Sequence, residues 1–199
     1  MVQKDLAQGK KNATRIGTAL VFIDESGLLM APHVRRTWAP RGQTPILWQK
    51  TNTYRKVSAI SALVVSPRRD RVQLFFGLHP NANIDSAAVL TFLKNLNRHL
   101  QCPISLIWDR FMCHRAKRVQ NFIAQQEDWQ LNFLPPYAPE LNPVENVWSY
   151  LKTKSMVKDA ALDLDALTKS TRYHSRTLQK RESLLRSFIK HTPLFLRLK

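Results

Sequence analysis

The chain has 199 residues and a formal net charge of +17, from 31 Lys and Arg against 14 Asp and Glu. Its 44% hydrophobic content excludes wholesale disorder, and its length suits one full domain with a further helical segment. No apolar run approaches the roughly 18 residues of a membrane span, and the cysteines Cys102 and Cys113 form neither a disulfide framework nor a zinc motif. We therefore expect a cytoplasmic domain, without membrane contact, whose charge favours a polyanionic partner such as nucleic acid.

The first part of the chain is predicted to form strands. Residues 1–16 are polar and basic and are predicted to be a mobile arm. Apolar residues on both alternating faces of 18–24 indicate a central strand covered on both sides. Residues 28–48 contain three prolines and a glycine, which favours a hairpin broken by loops. Two further strands, 56–66 and 72–78, are joined by a charged turn.

The second part of the chain alternates helices and strands. Apolar residues spaced i, i+3, i+4, i+7 between Val89 and Leu100 predict a helix, with Asp85 or Ser86 as its cap. The elements predicted after it are a strand (104–108), a helix around 119–123, a fifth strand (131–134), a helix from Pro143 and a helical region from 159 to about 190. This order predicts an α/β or α+β fold with a mixed sheet flanked by helices.

Three carboxylates stand at the ends of predicted elements. Asp24 ends the first strand, Asp109 follows strand 104–108, and Glu145 lies in the first turn of the helix from Pro143. If the two strands are adjacent and parallel, both aspartates leave the sheet at one edge, where a packed helix brings Glu145. Such close carboxylates repel one another unless a divalent cation is bound, and Mg²⁺ prefers carboxylate and phosphate oxygens. The cluster favours phosphodiester chemistry with two ions about 4 Å apart.

Each of these carboxylates also has a purely structural interpretation. Asp24 opens an Asp-Glu-Ser-Gly run that is typical of turns. Asp109 could cap the segment that follows its strand. Glu145 fits the third position of a capping box in which Asn142 is the N-cap and Pro143 begins the helix. No single residue decides between the two interpretations.

Three segments around these carboxylates, in this order, resemble the catalytic domain of mariner-type DDE transposases, and more narrowly the bacterial insertion-sequence-630 family. The segments, within residues 17–154, are VFIDESGLLMAPHVRRTWAPRGQTPIL, LIWDRFMCHRAK and LNFLPPYAPELNPVENVWSYLK, and 35 residues separate Asp109 from Glu145. The resemblance implies a ribonuclease H-like five-stranded sheet and makes Asp24, Asp109 and Glu145 a catalytic triad that binds Mg²⁺ or Mn²⁺. It also implies that water, and then a freed 3′-hydroxyl, attack DNA at transposon ends and at a TA target.

The resemblance also sets expectations for organisation and partners. It divides the chain into a basic arm (1–16), a DDE catalytic domain (17–157) and a helical basic C-terminal extension (158–199). It implies a homodimer in the DNA complex and a bacterial, nucleoid-associated location. Because only 23 residues precede Asp24, a separate helix-turn-helix polypeptide is expected to read the transposon ends. An inactive or repurposed DNA-binding remnant and another ribonuclease H-like nuclease remain open alternatives.

Several basic residues are predicted to contact DNA, with an ordinary solvated surface as the alternative for most of them. They are Arg35, Arg36 and Arg41 in 28–48, Arg110 and His114 after the second aspartate, and Lys169, Arg172, Arg176 and Lys180, which are spaced as a stripe along one helix. For His114 the alternative is a polar contact at the start of a helix. Glu25 is expected to point away from Asp24, to the opposite face of its strand, and to serve a structural role.

Overall fold

A five-stranded mixed sheet lies at the centre of the protein. The computed structural model describes residues 17–29, 40–42, 55–157, 163–194 and 196–199, with no side chains for 154–157. The predicted basic arm and most of the predicted 28–48 hairpin, including Arg35 and Arg36, lie outside these residues. The strands are β1 (Ala19–Leu29), β2 (Lys56–Val65), β3 (Val72–Pro80), β4 (Ile104–Trp108) and β5 (Trp129–Phe133).

The sheet combines an antiparallel and a parallel half. Its strand order is β3-β2-β1-β4-β5, with β1 antiparallel to β2, β2 antiparallel to β3, and β1, β4 and β5 mutually parallel. The central β1 strand is buried from Ala19 to Ile23, as its apolar residues on both faces predict. The predicted mixed sheet with a central first strand is therefore confirmed.

Helices cover both faces of the sheet. Helices α1 (Ser86–Leu100) and α2 (Lys117–Ala124) pack on the face that carries Val21 and Ile23. Helices α3 (Val144–Val157), α4 (Leu164–Gln179) and α5 (Glu182–Lys190) pack on the face that carries Leu20 and Phe22, and a short 3₁₀ turn (Pro139–Leu141) precedes α3. Alternate residues of β1 thus serve two separate cores, which a period of two along a strand requires.

The predicted start of the first helix is confirmed in detail. Asp85 is the N-cap of α1, and its Oδ1 accepts hydrogen bonds from the backbone N–H groups of Ala87 and Ala88 at 3.0 and 2.8 Å. In the apolar stripe behind it, Val89 and Leu93 are fully buried against the sheet. Capping and burial therefore act together to set the helix that follows β3.

The C-terminal helical region is two helices, and both pack on the sheet. The break lies at Lys180 and Arg181, between α4 and α5. Leu178 of α4 and Leu185 of α5 are fully buried in the same core as Phe22. In the described ranges, no helix is both long and apolar enough to cross a membrane.

The prediction that Asp24 ends the first strand is wrong. Strand β1 continues to Leu29, because residues from Asp24 onward remain paired with β2, up to the pair Leu29 and Lys56. Its last recorded pair with β4, in contrast, is Phe22 with Ile107. Asp24 therefore lies where β1 is no longer paired with the parallel strand β4 but is still paired with the antiparallel strand β2.

Candidate active site

The fold places the three predicted carboxylates around one edge of the sheet. Asp24 and Asp109 each lie two residues beyond the last pair of β1 and β4, Phe22 with Ile107, so the parallel strands carry both aspartates to the same end. Glu145 is an exposed residue in the first turn of α3, a helix that packs against β1. Its negative charge acts directly on the carboxyl group of Asp24.

The carboxyl group of Asp24 is held in an environment that disfavours its negative charge. Burial, followed by repulsion from Glu145, raises its pKa to about 7, and Glu25 and Asp109 add smaller repulsions. The indole Nε1–H of Trp148 donates a 2.8 Å hydrogen bond to Oδ2 of Asp24 and opposes this rise. A nearby cation would relieve the repulsion and favour the carboxylate form.

Asp109 is stabilised as a carboxylate instead. Its Oδ1 accepts a hydrogen bond from the backbone N–H of Phe111 at 2.9 Å, and Nδ1 of His114 lies at the same distance. The hydrogen bond with His114 lowers the pKa of Asp109, although partial burial opposes this. Both contacts use Oδ1, so Asp109 offers Oδ2 and a full negative charge to its half-exposed surroundings.

His114 is fully buried and joins two of the acidic residues. Its Nε2 lies 2.9 Å from Oε1 of Glu25, and its ring stacks on that of Trp108 with centroids 4.0 Å apart. Burial lowers the pKa of His114, but the hydrogen bonds to Asp109 and Glu25 outweigh it and raise the pKa to about 9. The protonated ring therefore donates from both nitrogens at neutral pH. In this position it has no access to DNA, and the geometry supports a polar structural contact.

The start of α3 contains one half of the predicted capping box. Asn142 is its cap, because Oδ1 accepts a 3.2 Å hydrogen bond from the backbone N–H of Val144. The backbone N–H of Asn142, which a capping box would pair with Glu145, donates instead to the carbonyl of Pro139 at 2.9 Å. The carboxylate of Glu145 is therefore not needed to begin the helix.

The acidic residues fit a hard divalent cation by charge and chemistry, although they do not form a finished site. Within the described part of the chain, no three His, Cys, Asp or Glu side chains are grouped closely enough to hold a metal ion. The oxygens of Asp24, Asp109 and Glu145 are hard ligands, and the repulsion felt at Asp24 is what a cation would remove.

Apart from the buried His114, the predicted DNA-contacting residues that the structure describes lie on three surfaces. Arg41 is exposed in the 40–42 turn. Arg110 follows Asp109 and is also exposed, with its guanidinium 5.6 Å from the ring centroid of Phe133. The remaining four residues line a shallow depression on the exposed face of α4, together with Tyr173 and Thr177; these are Lys169, Arg172, Arg176 and Lys180.

Two contacts of the site were not predicted from the sequence. The pair of Glu25 and His114 joins residues 89 apart, and that of Asp24 and Trp148 joins residues 124 apart. The only sequence signal for either was the alternation of side chains along β1, which correctly places Glu25 on the face opposite Asp24.

Residues 19–168 match the family model of the DDE superfamily endonucleases. Because the match covers most of the chain and includes Asp24, Asp109 and Glu145, the chain belongs to this family. Its mixed five-stranded sheet with flanking helices is the predicted ribonuclease H-like fold. Among curated proteins, no sequence matches the chain.

Solved structures of the Mos1 transposase have a similar fold. The Mos1 strand transfer complex has a TM-score of 0.58 at 14% identity, over 95% of this chain and 60% of that chain. The Mos1 paired-end complex with the left transposon end has a TM-score of 0.56 at 16% identity, over 96% and 60%. The Mos1 catalytic domain with Raltegravir and Mg has a TM-score of 0.51 at 14% identity, over 93% and 88%. The chain thus spans about 60% of the length of the first two proteins.

Proposed function

We propose that this chain is the catalytic part of a DNA transposase, of the insertion-sequence-630 type, which cuts and rejoins DNA strands at a TA target. The observation that carries the proposal is the buried Asp24, whose negative charge is disfavoured by Glu145 and Asp109 at one sheet edge. Membership of the DDE endonuclease family supports it. The similar Mos1 structures include a strand transfer complex, a paired-end complex with Mg and the catalytic domain with Mn, which makes divalent-metal chemistry on DNA the natural candidate.

In this proposal Asp24, Asp109 and Glu145 would hold one or two Mg²⁺ or Mn²⁺ ions. The bound metal would make the attacking water or 3′-hydroxyl more acidic and offset the charge that develops on the phosphate. His114 keeps Asp109 ionised through its hydrogen bond to Oδ1. The side chain of Glu145 is exposed in the first turn of α3 and is therefore open to a bound ion.

The basic stripe of α4, formed by Lys169, Arg172, Arg176 and Lys180, is proposed as a surface for the DNA backbone. All four side chains are exposed, while Leu167 and Leu178 on the other side of the helix are buried against the sheet. At 1.5 Å per residue the stripe is about 16 Å long, enough to follow several phosphates. Arg41, Arg110 and, outside the described residues, Arg35 and Arg36 are proposed as further contacts. A homodimer on the DNA and a separate helix-turn-helix polypeptide complete the proposed assembly.

The proposal is tested by strand cleavage and strand transfer. Supercoiled plasmid is incubated with the full chain in Mg²⁺, in Mn²⁺ or in chelator, and duplexes that end in the flanking inverted repeats are assayed for joining to a TA target. Metal-dependent nicking with joining supports a transposase. Nicking of RNA–DNA hybrids or branched DNA alone would identify another nuclease, and binding without nicking would identify a DNA-binding remnant.

Divalent metal is expected to stabilise the protein. The ions relieve repulsion at Asp24 in the folded state and find no such cluster in the unfolded chain, so at 100 times Kd the free energy of unfolding rises by about 2.7 kcal/mol. Calorimetric scans at increasing Mn²⁺ measure the shift of Tm. An equal shift of Tm in Asp24→Asn would show that the stabilising metal does not bind at Asp24.

Reversal of the α4 stripe to four glutamates is expected to weaken DNA binding and its salt dependence. Each lost phosphate contact lowers the slope of log K against log salt by about 0.9, and the loss is the same for repeat and random duplex because phosphates carry no base information. Fluorescence titrations at several salt concentrations measure the slope. The matched control makes the same change of charge on the other layer, at the exposed residues Lys94, Arg98, Lys117 and Arg118. Equal effects of the two variants would show that the stripe contributes only to the overall positive charge and is not a specific DNA-binding surface.

A further inference from the structure

Trp148 connects the helix of the third carboxylate to the first carboxylate. It is 2% exposed and packs in the core between the sheet and helices α3, α4 and α5. From within this core its Nε1–H donates a 2.8 Å hydrogen bond to Oδ2 of Asp24. The bond is thus made by a side chain whose position is fixed by packing.

The position of Trp148 on α3 links two of the acidic residues. It lies three residues after Glu145, and residues so spaced share one side of a helix. Asp24 in turn is fixed by the pairing of β1 with β2, opposite Ser61. One rigid indole therefore relates the helix that carries Glu145 to the strand that carries Asp24.

The hydrogen bond to the carboxylate is specific to the indole of Trp148. Trp108 is also fully buried, and among the residues the structure describes its Nε1–H has no hydrogen-bond partner. Of these two buried indoles, only that of Trp148 donates to an acidic residue of the candidate site.

We propose that Trp148 is a positioning residue that orients the carboxylate of Asp24 for metal binding. The indole N–H holds Oδ2 and restricts rotation of the carboxylate, so that Oδ1 would remain available to a bound ion. Hydrogen-bond donors behind metal ligands act in this way, and their removal typically costs 10–100-fold in metal affinity or activity. The inference rests on the proposed function, because it presupposes that Asp24 binds metal.

The test compares Trp148→Phe with Trp129→Phe in the full chain. Both variants remove an indole, but Trp129 lies at the start of β5, at the end of the sheet away from Asp24. The Mn²⁺ concentration that gives half of the maximal Tm shift is measured for each, together with the nicking rate against Mn²⁺. We expect Trp148→Phe to need about tenfold more Mn²⁺ and Trp129→Phe to match the wild type.

The outcomes separate this inference from the proposed function. An unchanged Mn²⁺ midpoint in Trp148→Phe, with a normal shift in the wild type, would overturn the positioning role alone. A wild type with neither a Tm shift nor nicking would overturn the proposed function, and the positioning role with it.

A second measurement covers the case in which Trp148→Phe does not fold. The chain has five tryptophans, and each is expected to contribute one indole N–H signal to nitrogen-15 NMR spectra of the wild type. We expect one of these signals to move in Asp24→Asn without metal, and the same signal to follow Mg²⁺ addition in the wild type with the midpoint of the Tm shift. If no indole signal responds to both changes, Trp148 does not position the carboxylate.

Discussion

Asp24→Asn is expected to lower metal-dependent nicking by about a thousandfold or more and to leave the fold intact. The substitution removes a charged oxygen that is proposed to bind the metal, and a bound metal would contribute several kcal/mol of transition-state stabilisation. Asparagine keeps an oxygen that accepts the hydrogen bond of Trp148. Because the Asp24 pKa is about 7 in the folded protein, against 3.8 as its ordinary value, the ionised group destabilises the metal-free fold increasingly as pH rises from about 4 to 7. In chelator at pH 8, Asp24→Asn should therefore melt no lower than the wild type.

The same loss of nicking is expected for Glu145→Gln, which has a close control. Glu140 is also exposed and lies in the turn just before α3, so Glu140→Gln should retain wild-type nicking and stability. Plasmid nicking and thermal melting on the same preparations measure both properties. Loss of several degrees of Tm with normal nicking in Glu145→Gln would make Glu145 a capping residue and contradict its proposed role.

His114→Ala is expected to lower the free energy of unfolding by about 3–5 kcal/mol, the largest stability effect expected of these variants. The substitution leaves Glu25, whose side chain is only 14% exposed, without its 2.9 Å partner, and breaking a buried ion pair by removing one member is strongly destabilising. Urea unfolding at pH 7 measures the free energy. Arg68→Ala is the control, because its pair with Asp70 is exposed and 3.9 Å long and should be worth less than about 1 kcal/mol.

A double variant separates the charge from the packing of His114. If unpaired charge dominates, Glu25→Gln combined with His114→Gln should lose less stability than His114→Ala, because neither buried group is then ionised. Equal losses in the two variants would instead assign the effect to the lost stacking of the ring on Trp108.

The general placement of the carboxylates could be predicted because it follows from local patterns. The short apolar strand before Asp109 and the helix start at Asn142 are recorded in consecutive residues, and parallel pairing then brings strand ends together. The length of β1 could not be predicted in this way. Its extension to Leu29 depends on pairing with β2, which lies about 30 residues further along the chain.

The hydrogen bonds that shift the pKa values of the aspartates could not be predicted from the sequence for a similar reason. Trp148 is a buried residue of α3, and its single polar atom reaches Asp24 only in the folded chain. The sequence offers His114 either as a DNA contact or as a polar contact at the start of a helix, and the residue is fully buried between Glu25 and Asp109. Polar contacts between distant elements depend on side-chain direction, which periodicity does not encode.

The shortness of β4 restricts where the sheet can accept an inserted residue. Strand β4 ends at Trp108, and its last pair with β1 is Ile107 with Phe22. The carbonyl of the next β1 residue, Ile23, accepts a 3.1 Å hydrogen bond from the amide Nδ2 of Asn142 instead. The same side chain begins α3, so the helix of Glu145 is docked where a longer fourth strand would continue. An insertion that lengthened β4 by one residue would compete for that carbonyl and displace the third carboxylate, whereas an equal insertion in the β2–β3 turn, at the far end of the sheet, would not.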